Sequence, residues 1–475
     1  MVNSRAEEDA RPARPWLVFA ALGSGFFLAS LDGTVVAVGT PTLQLELDAS
    51  VGGAVWVTTG YLLAYVAPML VAGRFGERWG KRRVYLVGLA VFTGASLACG
   101  LAPGLEVLIA ARVVQGIGAA LMAPQALAMV TDTIPPERLG LALGVWSMTA
   151  GVASVIGPLL GGLMVAGPGW RWLFLVNVPI GLAVLLATRA VVPRSAHNRA
   201  SIAVLPGLLS TAAIVLVVVA LQELAASAWA WVVLGAGLLL LVGFLLGERH
   251  DGSLVPPAII SAPGYLPGVA GVAAAGLVVA AVPLVLMLWA QEVRGIGSLE
   301  AALLILPLGI VSAALAPISG IIIDRRGHRP VAIGALVVSA LSILVLAVGI
   351  RTDAAIAFAV ASMALFGVSN SAIWASLSVA SFGSLPSTQT AAGSAVYNTV
   401  RQLGAAVGSA GVGLLLPWQL ARHSADAGVG PEAYSAASAT VLVILALAPI
   451  AASVYVAVAT PRTVPNAKEP ACRGK

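Results

Sequence analysis

Three side chains in this sequence carry charge deep inside apolar runs long enough to cross a bilayer: Asp32, Arg112 and Arg401. A charge at mid-membrane costs about 2.5–3.5 kcal/mol on insertion scales, so each needs a reason. Asp32 lies near the end of the first run and Arg112 near the start of the fourth. At 1.5 Å per helical residue both fall about 10 Å below the same membrane face. Burial and an adjacent guanidinium pull the proton equilibrium of a carboxyl group in opposite senses. An acid held between them takes up and releases a proton as its surroundings change. Gln115 and Gly116 follow Arg112 on the same helical face. Gln115 can donate to the carboxylate, and Gly116 admits a neighbouring helix. Two readings stand side by side: a proton- or cation-handling pair, and a static buried ion pair.

Other polar residues mark a second region. Asn398, Arg401 and Gln402 share one face of a late apolar run, and Asn370 and Trp374 occupy the run before it. Asn177 sits deep in the sixth run. Together they are candidates for a substrate cavity, or polar groups that satisfy one another. With no acid deep in the second half, Arg401 is expected to bond carbonyls or water, or to meet an anionic group. In the fifth run, Gly157-Pro158-Leu-Leu-Gly161-Gly162 offers close helix approach and a missing backbone donor. That fits a bent helix at a moving interface, or ordinary packing.

The elements that must position these residues are announced by a repeat. Gly73-Arg-Phe-Gly-Glu77-Arg78-Trp-Gly80-Lys-Arg82 and Gly320-Ile-Ile-Ile-Asp324-Arg325-Arg-Gly327-His-Arg329 share one acid–Arg–x–Gly–x–Arg spacing between apolar runs. The acid can pair with an Arg or meet the N-terminus of a neighbouring helix, whose dipole favours negative charge. Such a contact latches one conformation; the alternative is pure topology signalling by the basic residues.

The chain of 475 residues is 59% hydrophobic and 10% charged, against about 25% charged in soluble domains. Mean hydropathy is +0.98. Apolar runs of about 20 residues divide it into fourteen predicted spans. The second copy of the turn falls after the tenth span, which predicts six helices, two inserted helices and six helices. The predicted segments are a tail over 1–15, a six-helix bundle over 16–192, a linker with two helices over 193–264, a second bundle over 265–460 and a tail over 461–475. The N-terminal apolar run is too long for a signal core and is expected to stay as a membrane helix. Of 26 Lys and Arg, Arg171, Arg294, Arg351 and Arg422 fall on one side and Arg112 and Arg401 inside spans. All others share the side of both termini, which the positive-inside rule makes cytoplasmic. The net charge of +6 is thereby a topology signal in a plasma or inner membrane, with no nucleic acid expected. Arg exceeding Lys and abundant Ala hint at a GC-rich bacterial gene. Two cysteines supply neither a disulfide framework nor a metal spacing, and no metal or cofactor is expected.

These residues resemble the major facilitator superfamily, and within it the fourteen-span drug:proton antiporters. Gly73–Arg83 is similar to the loop signature between helices 2 and 3, with Glu77 where Asp is usual. Leu108–Ala120 resembles the helix-4 proton-coupling signature. Gly151–Gly162 resembles the helix-5 antiporter signature, with Ala153 at a Gly position. Leu31-Asp32-Gly-Thr34 resembles the helix-1 signature, with Ala37 where Asn is common. Trp170–Gly181 and Asn398–Gly404 also match that group. The resemblance implies an all-α major facilitator fold and alternating access driven by protons. Asp32, Arg112 and Gln115 would couple; Gly73, Glu77, Arg78, Gly80, Arg82, Asp324, Arg325, Gly327 and Arg329 would latch.

The expected function is secondary export of a small amphipathic molecule, a drug or an antibiotic. Export of a lipid, siderophore or metabolite is the alternative. A membrane sensor or enzyme is the distant one, since no loop or set of side chains converges on catalysis. The sequence leaves the oligomeric state open.

Overall fold

In a bilayer every backbone polar group must be satisfied within the chain, which an apolar run achieves only as a helix. The computed structural model describes residues 14–49, 51–193, 204–224, 227–247, 254–296, 298–352, 356–386, 389–427 and 430–460. Both predicted tails therefore lie outside the described residues, apart from Arg14 and Pro15 at their edge.

The helices of the first half are α1 (Pro15–Glu46), α2 (Val51–Val66), α3 (Met69–Trp79), α4 (Lys81–Gly100), α5 (Leu105–Thr133), α6 (Leu139–Ala166) and α7 (Asn177–Val191). Next come α8 (Val204–Glu223) and α9 (Trp229–Gly247). The second half holds α10 (Tyr265–Glu292), α11 (Leu306–Arg326), α12 (His328–Arg351), α13 (Ile356–Phe382), α14 (Thr390–Ala427) and α15 (Pro431–Ala459). Among the described residues 11 helices are long and apolar enough to cross a membrane, or up to 12 if the bent pair α2–α3 counts as one span. The apolar part of α8, Leu205–Leu221, is shorter.

Two predicted spans are broken. The run expected as one helix over Gly52–Ala72 bends by 46° between α2 and α3, where Pro68 supplies no backbone N–H. The sixth run opens with a separate turn, Trp172–Leu175, before α7 begins at Asn177. Both copies of the repeated turn use the same backbone device. Gly80 and Gly327 have φ of 89° and 83°, a region closed to most side chains. Each ends one helix and starts the next without a loop.

Where helices meet closely, glycine permits it. A Cβ on Gly404 or Gly408 of α14 would stand 2.3 or 2.2 Å from backbone oxygens of α10. The apolar side chains form three clusters. One belongs wholly to the first half and includes Val35, Val57, Leu108 and Phe174. Another belongs to the second half, with Val278, Trp289, Phe366 and Leu442. The third joins both halves through Tyr85, Leu143, Ile323, Leu336 and Tyr397. It lies toward the end that bears the basic turns. The halves are thus packed together at the basic end, while at the other end each keeps its own core.

Candidate functional site

Asp32, Arg112, Gln115 and Asn177 converge from α1, α5 and α7, and all four are 0% exposed. Arg112 Nη1 donates to Asp32 Oδ2 at 2.5 Å and to Gln115 Oε1 at 2.8 Å. Its Nε donates to the Val57 carbonyl of α2 at 3.0 Å. The other carboxylate oxygen, Asp32 Oδ1, accepts from Gln115 Nε2 and Asn177 Nδ2, both at 3.0 Å. Ser96 of α4 accepts from the same two amides at 3.2 and 3.1 Å and donates to the Phe174 carbonyl. Five helices therefore meet in one network around this carboxylate. The Arg112 guanidinium lies 4.1 Å from the centre of the Tyr61 ring, a cation–π contact worth about 2 kcal/mol when desolvated. Gly116 serves close approach as expected: a Cβ there would stand 2.4 Å from the Tyr61 carbonyl.

This network reaches toward α6. Thr34, next but one to Asp32, donates to the Ala153 carbonyl at 3.2 Å. A Cβ on Gly157 would stand 2.1 Å from Thr34 Oγ1. Gly161 is buried, whereas Gly162 has nothing within 4 Å of a Cβ position. The side chains of Pro158 and Ala37 lie outside the described residues.

The repeated turns form a reciprocal arrangement at the basic end. Glu77 accepts from the backbone N–H of Ala392 at 3.2 Å, in the first turn of α14 from the opposite half. Asp324 accepts from Gly140 and Leu141 N–H at 2.7 and 3.0 Å, in the first turn of α6. Each acid thus caps a helix of the other half, where orphan donors and the dipole favour a carboxylate. Glu77 also pairs with Arg74. Gly73 lets α14 approach, its Cβ position lying 2.7 Å from Ala395.

The second Arg of each copy is matched too. Arg82 donates to the Arg189 carbonyl at the end of α7, and Arg329 to the Ala457 carbonyl at the end of α15. Each closes the last helix of its own half. Arg78 and Arg325 are exposed. Lys81 adds a contact that the repeat did not announce, bonding Asp132 at 2.5 Å and Thr390 across the halves at 2.6 Å.

The polar residues of the second half divide. Asn370 donates to Ser312 at 2.9 Å and accepts from Trp374 Nε1 at 2.9 Å. Asn398 bonds Ser394 on its own helix. Arg401 and Gln402 are half-buried. Asn177, expected with this group, belongs instead to the Asp32 network, because the break before α7 turns it inward.

A family description matches residues 22–409 of this fold: Major Facilitator Superfamily. The chain belongs to the major facilitator superfamily. It is a multi-pass membrane transporter, and a chain of this family is a transporter rather than an enzyme. Rv1250 of Mycobacterium tuberculosis (strain ATCC 25618 / H37Rv), an MFS-type transporter, is 36% identical over 440 residues, 91% of this chain and 76% of that protein. The tetracenomycin C resistance and export protein of Streptomyces glaucescens is 34% identical over 340 residues, 69% of this chain and 62% of that protein. The MFS proton:xylose symporter XylE superposes with a TM-score of 0.63 at 13% identity, covering 92% of this chain and 95% of that one. At that identity the likeness concerns the fold.

Proposed function

We propose that this transporter exports amphipathic drugs or an antibiotic in exchange for protons, by alternating access. The observation that carries the reading is the fully buried Asp32 carboxylate, held by Arg112 at 2.5 Å and by two amide donors. Resistance and export in the name of the Streptomyces glaucescens relative support the direction of transport.

The reading has fourteen spans in a 6+2+6 order, with bundles over 16–192 and 265–460 and both termini in the cytoplasm. The basic end then faces the cytoplasm and is closed, and the cleft opens outward. A proton arriving on Asp32 cancels its charge and removes the Coulomb attraction to Arg112. Removing one member of a buried ion pair is worth about 3–5 kcal/mol, so the five helices around it regroup. Helix α6 links this event to the gate. Its Gly157 end lies against Thr34, and its Gly140 end is capped by Asp324. Displacing α6 weakens the caps at the basic end, and the cytoplasmic side opens to cargo.

The test is Asp32→Asn in proteoliposomes. The amide keeps the shape but cannot cycle a proton. Transport driven by a pH gradient is expected to vanish, while exchange of labelled cargo at equal pH persists. Undiminished gradient-driven transport in that variant removes the proposal.

A further inference from the structure

Arg401 of α14 is a cation that no described acid answers. Arg401 lies roughly 16 Å along α14 from its first residue, at 1.5 Å per residue, well within the membrane. Among the described residues the ion pairs are Arg74–Glu77, Lys81–Asp132 and Arg112–Asp32, and no acid pairs with Arg401. Its Nε is buried and makes no hydrogen bond. What surrounds the guanidinium is aromatic. The Trp374 ring of α13 lies 5.7 Å away. Tyr397 precedes Arg401 by one helical turn on α14, and both it and Tyr65 of the first half are buried. Tyr65 stacks on Tyr61, with ring centres 6.1 Å apart and planes 14° from parallel.

The contrast with Asp32 decides what this site recognises. Asp32 is the one carboxylate deep in the apolar runs, and three donors cover it completely. It offers no negative charge to a cationic cargo. The half-buried guanidinium of Arg401 does offer positive charge, in a fork that fits two oxygens of a planar or tetrahedral oxyanion. The geometry points to an aromatic or conjugated organic anion as the cargo class. Its carboxylate, phenolate or sulfonate meets Arg401, and its rings lie against Trp374. This rests on the chain being a drug or antibiotic exporter and deepens that reading. It also carries an electrical consequence. An anion leaving while a proton enters moves charge in a single electrical sense, so a membrane potential negative inside drives both movements.

Two dyes with one xanthene core and opposite charge test the inference: anionic sulforhodamine B and cationic rhodamine 6G. Binding is measured by fluorescence anisotropy to the full chain in lipid nanodiscs, with empty nanodiscs subtracted. Sulforhodamine B is expected to bind in preference to rhodamine 6G. Arg401→Gln should weaken that binding by about tenfold or more. Arg401→Lys should restore part of it, and both variants should unfold at the temperature of the parent. In proteoliposomes, uptake of the anion should rise when a potassium diffusion potential favours its movement. Preference for rhodamine 6G, binding of neither dye, or unchanged sulforhodamine B binding in Arg401→Gln overturns the inference. Binding needs no proton gradient, so the two readings fail separately. Arg401-dependent binding with Asp32→Asn still fully coupled refutes the proton site alone.

Discussion

Asp324 offers the cleanest perturbation of the proposed gate. It is exposed, belongs to no ion pair among the described residues, and holds the halves together through two backbone bonds of 2.7 and 3.0 Å. Glu77 is less simple, because Glu77→Gln also strips Arg74 of its partner. Losing a helix cap costs about 0.5–2 kcal/mol, and Asp324→Ala loses both bonds and the charge. We place its effect at about 1–2 kcal/mol, which shifts the balance between closed and open basic ends by roughly 5- to 30-fold. Asp324→Asn keeps one acceptor oxygen and with it one of the two bonds; it loses the other bond and the charge–dipole part, the latter about 0.3–1 kcal/mol. The shift is then smaller than for Ala. Spin labels at Arg138→Cys and Arg326→Cys, in a background with Cys472→Ser, report the separation of the halves by pulsed electron resonance. The population with the longer distance should grow in the order parent, Asn, Ala. An unchanged distance distribution in Asp324→Ala, or a larger shift for Asn than for Ala, refutes the capping argument.

Three further outcomes are expected. Gly157→Ala drives a methyl group into Thr34, and overpacking of this kind costs about 1–3 kcal/mol. Thermal unfolding should show the loss, and Thr34→Ala should return part of it. Tyr61→Leu removes the ring beneath Arg112 and is expected to cost about 2 kcal/mol, read as a lower unfolding temperature that Tyr61→Phe does not produce. Arg82→Ala and Arg329→Ala each free the last carbonyls of a closing helix. Hydrogen exchange should rise at the ends of α7 and α15 respectively, and at no other helix end.

Much of the membrane architecture could be read before any coordinates, because the bilayer restricts charge so severely. Asp32 and Arg112 stood out by rarity, and their equal depth followed from the helical rise alone. The repeated acids are legible as a matched pair at span ends, with an Arg partner, a helix N-terminus and topology signalling left open; the caps on the opposite half come from the structure. What escaped was whatever depends on lateral placement. Ser96 and Tyr61 are ordinary residues in apolar runs until Asp32 and Arg112 arrive beside them from other helices. Asp132 carries no signal in the sequence; the last turn of α5 brings it to Lys81. Pro68 was absorbed into one long span, because hydropathy does not register a missing N–H. Depth alone assigns Asn177 to the cavity, and the break at Val176, between Leu175 and Asn177, turns it the other way.

That break at Pro68 has a consequence for how tightly the machine is geared. The arm before it supplies the Val57 carbonyl and the Tyr61 ring to Arg112; the arm after it carries Gly73 and Glu77 to α14. A continuous rod would oblige both arms to turn in step. With a joint between them, either arm can reset while the other is still engaged. In the proposed exchange cycle, play at this joint would let a turn run without its passenger.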